Sequence, residues 1–181
     1  METVPKDILQ WFAMRATFCR ELTAKELLEA ESVETFIPMH YETHLVNGRK
    51  KKILTPVVHN LIFVHTTKEI IQRIKTGIPY LQYITTPHDR RNVPIIVPEK
   101  QMQQFIAVSG TYDEQLLYLQ PEELNLAQGT KVRIHGGAFD GQEGVFMKIK
   151  GRRNRRLVIA IQGVIAVATV VVHPRLIEVL P

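Results

Sequence analysis

The sequence predicts an α+β chain: a compact α/β domain built on an antiparallel sheet, followed by a small all-β barrel. Three observations predict it. Up to about residue 108, strand-like and helix-like periodicities alternate. Asn47-Gly48 stands between two β-prone runs, the strongest short hairpin signal a sequence offers. From Gly129 onward, short alternating runs are separated by glycine-rich turns, the pattern of a closed β structure.

The first domain divides as follows. Ile8–Thr17 is β-prone and apolar on both faces, which predicts a central strand with Trp11 in the core. From Arg20 to Ala30, Leu22, Leu27 and Leu28 recur near helical spacing, with Glu21, Lys25, Glu26 and Glu29 facing outward. Thr35–Val46 and Lys52–Thr66 read as the two strands of the hairpin, which carries the cations Arg49, Lys50, Lys51 and Lys52 at its end. A helix over Lys68–Lys75 closes at Gly77, Tyr80–Thr85 is a strand, and Pro87–Asn92 is a polar loop. Pro98–Ala107 starts a helix with proline where a missing amide costs least.

Ser109–Gln128 lacks a sustained period and reads as a linker. Its Leu116–Leu119 run is too apolar for a solvated tether, so it is expected to dock on a domain or form a short helix. In the tail, Val132 and Ile134 alternate with Lys131, Arg133 and His135; a turn around Phe139 follows, and alternation resumes at Val145, Met147 and Ile149. Leu157–Ile161 and Ala166–Val172 are further strands. Their β-branched residues, with Gly151 and Gly163, argue for a β state and against a helical one. The expected domains are therefore 8–108 and 129–181, with 109–128 as the linker.

Composition narrows the function. Hydrophobic residues make up 45% of the 181, enough for packed cores. No run approaches the roughly 20 apolar residues of a membrane span, and Met1–Asp7 lacks the apolar centre of a signal peptide. A lone cysteine, Cys19, fits a reducing cytoplasm. The formal charge of +5 is modest but concentrated. His40 and His44 have the spacing of a helical zinc pair, yet on a strand they lie roughly 13 Å apart along the chain. The segment Gly136–Gly141 lacks the Gly-Lys-Ser/Thr that grips phosphates. Cys19 has no base or cation placed to activate it. No enzyme, metal or cofactor is read from these residues.

Two stretches resemble a known family. The run from Gly129 through Val132-Arg-Ile134, Gly137-Ala-Phe-Asp-Gly141 and Gly144-Val145 resembles a KOW motif. NusG-type transcription factors carry that motif in a C-terminal SH3-like barrel, and ribosomal proteins carry it too. Trp11-Phe12, Pro56–Val64 after a basic hairpin, and Pro94-Ile-Ile-Val-Pro98 resemble, in the same order, the N-terminal domain of NusG-type factors. The last of these is especially similar to specialised paralogues of the RfaH and UpxY kind.

The resemblance implies a non-enzymatic elongation and antitermination factor, a monomer in the cytoplasm, acting on RNA polymerase and its nucleic acid. Val58, His59, Asn60 and Leu61 stand where the family grips the clamp helices of the polymerase's largest subunit, and Arg15 faces the same region. Here Val58 replaces an aromatic, His59 a proline and Leu61 a tyrosine, leaving a smaller apolar surface. His65-Thr-Thr67 is similar to a DNA-contacting motif of RfaH but begins several residues too early. In the barrel, Phe139, Ile161, Gln162 and Val164 stand where a partner such as a ribosomal protein would bind. Ile161-Gln-Gly-Val164 lacks the Phe and Arg of housekeeping NusG, which points to a specialised paralogue. Arg49–Lys52, and the cluster Lys148, Lys150, Arg152, Arg153, Arg155 and Arg156, are expected to contact nucleic-acid phosphates. The reading from a different class is a ribosome-associated RNA-binding protein that uses the barrel alone.

Overall fold

The computed structural model describes residues 8–169 and 172–181. Met1–Asp7, and Val170 and Val171 of the expected strand Ala166–Val172, lie outside the described residues. In chain order the first elements are β1 (Gln10–Ala16), α1 (Glu21–Ala30), β2 (Glu34–Phe36), β3 (Met39–Val46), β4 (Arg49–Pro56) and β5 (Leu61–Thr66). Then come α2 (Lys68–Gly77), β6 (Leu81–Tyr83), β7 (Thr85–His88), β8 (Arg91–Pro94), β9 (Ile96–Val97) and α3 (Glu99–Ser109). The remaining strands are β10 (Leu117–Leu119), β11 (Thr130–Ile134), β12 (Glu143–Lys148), β13 (Arg155–Ile161), β14 (Ile165–Ala168) and β15 (Ile177–Val179). Two compact units result: one takes the chain through Pro38 with Pro56–Glu99, the other Met39–Thr55 with Lys100–Pro181.

In the first unit β1 is the central strand, as its two apolar faces require. It pairs antiparallel with β5 on one side and with β6 and β9 on the other, and β2 extends the sheet beyond β5. Trp11–Met14 and Leu61–Val64 are buried without a break. The long strands expected over Thr35–Val46 and Lys52–Thr66 are each broken, at Ile37-Pro38 and at Val57–Asn60. Proline cannot extend the ladder at the first break. At the second, Asn60 adopts φ 67°, a left-handed conformation that ends an extended run. Pro87–Asn92, expected as a loop, is instead the turn of the β7–β8 hairpin, with Asp89 and Arg90 both left-handed.

Helix α1 sits rotated from its expected face. Glu21, Ala24 and Leu28 point inward, while Leu22 and Leu27 are exposed. Glu21 turns inward because its carboxylate satisfies a loop amide, described below. Thr67 caps α2 by accepting a bond from the Ile70 amide at 3.2 Å, and Ile71 and Ile74 bury its inner face.

The second unit contains a six-stranded antiparallel sheet in the order β10-β14-β13-β12-β11-β15, the all-β arrangement expected of the tail. Strand β10 comes from the stretch expected as a linker: Leu117–Leu119 pairs with Ala166–Ala168 of β14. The core holds Leu119, Met147, Ile149, Val158, Ala166 and Ala168. At Gly144 a Cβ would lie 2.5 Å from the Val158 carbonyl oxygen, so only glycine permits this approach of β12 to β13. Residues of α3 reach this sheet: Gln101 Nε2 donates to the Ala160 carbonyl, and Lys100 pairs with Glu143 at 2.8 Å. Lys100 and Arg133 beside Glu143 hold its carboxyl below the usual carboxylate range. The β3–β4 hairpin turns at Asn47 and Gly48, with φ 52° and 72°, as its dipeptide requires.

Candidate functional site

Arg15 and Leu61 are direct partners in the β1–β5 register, at the end of the sheet where the β4–β5 loop emerges. Arg15 is exposed, the His59 side chain is 68% exposed, and Val58 and Asn60 are half-buried. Leu61 is different. It is only 4% exposed and belongs to the core, contrary to its expected place on a contact surface. Leu61 opens β5, an inner strand of the sheet, and packs with the buried run that follows it, Ile62–Val64.

Glu21 anchors this loop. Its side chain is 2% exposed; Oε2 accepts from the Asn60 amide at 3.1 Å and Oε1 lies 3.2 Å from His59 Nδ1. The Asn60 side chain in turn accepts from the Cys19 amide at 2.8 Å, and its carbonyl accepts from the Ala16 amide at 2.9 Å. The β4–β5 loop and the β1–α1 turn therefore hold each other. That turn places Phe18 and Cys19 at φ 63° and 53°. Left-handed backbone at non-glycine residues costs of order 1 kcal/mol each. Phe18 is 80% exposed, and the Arg20 guanidinium lies 5.8 Å from its ring centroid and 5.0 Å from that of Tyr80. Sequence reasoning missed this turn. Its only signal was a bulky aromatic between strand and helix, where turn residues are usually small or polar.

His65-Thr-Thr67 serves the fold. The His65 ring stacks on Trp11 at 4.7 Å and pairs with Glu34 at 2.8 Å and with Glu99 at 3.5 Å. Thr66 is buried, and Thr67 caps α2. His40 and His44 bracket Glu42 on β3 at 3.0 and 3.1 Å, and no metal-holding cluster occurs among the described residues.

Arg49, Lys50, Lys51 and Lys52 are all exposed on β4; Lys52 pairs with Glu114, and no other of the four forms an ion pair with a described residue. In the second unit Lys148, Lys150, Arg152, Arg153 and Arg155 are exposed around the β12–β13 turn. Lys148 lies directly opposite Arg155, a like-charge pairing that opposes folding unless an anion meets it. Arg156 differs from its neighbours. Its Nη1 donates to the carbonyls of Thr169 at 2.7 Å and Gln115 at 2.9 Å, and burial, with the charge of Arg152, pulls its pKa down. Arg156 is spent inside the unit rather than offered to phosphates. Phe139 and Ile161 are also buried, at 8% and 2%, which leaves Gln162 and Val164 in the β13–β14 turn as the accessible part of the expected partner surface.

A family model described as "Transcription termination factor nusG" matches residues 9–106, just over half of the chain, and spans β1, the β4–β5 loop and most of α3. The chain belongs to the NusG family. NusG-family proteins are non-enzymatic transcription factors that bind RNA polymerase. No curated protein matches the chain. Among solved structures it is similar to the NusG of "Domain interaction in Thermotoga maritima NusG", with 21% identity, a TM-score of 0.46, and coverage of 94% of this chain and 97% of that one.

Proposed function

We propose that this chain is a specialised NusG-family elongation and antitermination factor of the RfaH and UpxY kind, serving particular operons. Its N-terminal domain, residues 8–108, grips the clamp helices of the largest RNA polymerase subunit through Arg15, Val58, His59 and Asn60. The observation that carries this reading is the juxtaposition of Arg15 with a loop anchored on buried Glu21, at one end of the family-matched sheet. A loop fixed by a buried carboxylate is preorganised, so little ordering entropy opposes docking.

Binding there keeps the clamp closed around nucleic acid, which suppresses pausing and early termination. No bond is made or broken; the work comes from association energy. The basic tips at Arg49–Lys52 and at the β12–β13 turn add salt-sensitive contacts to phosphates. The KOW barrel, residues 129–181, takes β10 from the preceding linker and presents Gln162 and Val164 to a further partner. The protein acts in the cytoplasm as a monomer, and no helix of the described residues is long and apolar enough to cross a membrane.

Transcription on a template with a pause site and a downstream terminator tests this. Adding the protein to RNA polymerase is expected to shorten the pause and raise readthrough at least twofold. Unchanged pausing and readthrough at saturating protein would refute it.

A further inference from the structure

The β1–α1 turn is built to present Phe18, and the proposed function leaves it unused. Two adjacent non-glycine residues, Phe18 and Cys19, hold left-handed backbone in a turn where Asn-Gly would sit without strain. The turn is kept in place on three sides. The Thr17 amide donates to the Tyr80 carbonyl at 2.9 Å, the Cys19 amide to the Asn60 side chain at 2.8 Å, and the Asn60 amide to Glu21 at 3.1 Å. What this strain delivers is a phenyl ring 80% exposed to solvent, joined through Asn60 to the loop assigned to the polymerase. Strained backbone that its surroundings over-determine gathers at binding sites.

We propose that Phe18 is the aromatic anchor of the polymerase contact, in place of the aromatic bulk that the loop lacks at Val58. This rests on the polymerase reading above. The occupant is the same clamp surface, because Phe18 is continuous with Val58–Asn60 and flanked by Arg20. A single-stranded base stacking on Phe18 is the competing use. The Arg20 guanidinium lies over this ring, 5.8 Å from its centroid, and covers a face that a stacked base would need, while the ring edge stays free for a protein contact.

The test uses the full-length chain, RNA polymerase core enzyme and a single-stranded oligonucleotide. Phe18→Gly removes the ring and relieves the strain, so the two consequences have opposite signs. Polymerase affinity is expected to fall about tenfold or more, as at a buried aromatic hot spot. The urea midpoint, followed by the fluorescence of Trp11, is expected to hold or rise. Phe18→Leu keeps an apolar knob and is expected to bind within about threefold of the parent. Arg15→Glu separates the two claims. If Arg15→Glu loses the polymerase while Phe18→Gly keeps it, the anchor is overturned and the polymerase reading stands. If Phe18→Gly loses oligonucleotide binding but keeps the polymerase, the ring is a stacking platform and the anchor is again overturned. If the parent chain itself does not bind polymerase, both fall together.

Discussion

Leu61→Glu is expected to unfold the first sheet rather than to disarm a contact surface. Leu61 opens β5, is 4% exposed, and is followed by three more buried residues. The change removes a buried aliphatic side chain and carries a carboxylate into its place. Arg15 lies opposite but reaches solvent, so it does not lift the cost of desolvating the new charge. The loss is expected to be about 3 kcal/mol or more, much of the stability of a small domain. Trp11, the only tryptophan, sits in β1, where it reports on this sheet. Its fluorescence should show a large fall in the urea midpoint for Leu61→Glu and little for His59→Gln, which keeps a donor beside Glu21. A Leu61→Glu chain as stable as the parent, but unable to bind polymerase, would return Leu61 to the contact surface.

The second large effect belongs to the β12–β13 turn. Changing Arg152, Arg153 and Arg155 to glutamine is expected to leave the sheet folded, since all three side chains are exposed. If each meets a phosphate, the slope of log affinity against log salt for duplex DNA should fall by about 3, with a loss on the order of a hundredfold near 0.1 M salt. Arg156→Gln should do the reverse. It withdraws a charged donor from the Thr169 and Gln115 carbonyls, so it costs stability, about 2 kcal/mol, with little change in the salt slope. Equal salt slopes for the triple variant and the parent would reduce the cluster to a solvated turn.

Much of the fold was legible because it rests on local signals. The unbroken apolar run of β1, the Asn47-Gly48 turn, the closure of α2 near Gly77 and the β-branched tail each follow from periodicity or turn chemistry. Where tertiary demands override pattern, the sequence misleads. Glu21 looks like a solvent residue, yet it faces inward because the Asn60 amide needs an acceptor, and that choice swings Leu22 and Leu27 outward. Leu117–Leu119 is legible as too apolar for a tether, but that it docks as a strand is not, because its partner β14 lies far away in the chain. The candidate site was half visible. Arg15 and Val58–Asn60 were found by resemblance to a family segment, whereas Arg156 was indistinguishable from Arg155 because burial leaves no mark on a run of like residues. Phe18 was invisible for another reason: its left-handed backbone violates the local preference that sequence reasoning relies on.

The affinity of the full-length chain for RNA polymerase core enzyme, compared with that of the Arg15→Glu/His59→Gln variant, tests the central claim most directly. Both side chains are exposed and glutamine keeps a donor beside Glu21, so the variant is expected to fold as the parent does while its affinity falls about tenfold or more. A parent chain that retains ribosomal particles but not polymerase, or a variant that binds polymerase as tightly as the parent, would contradict the account.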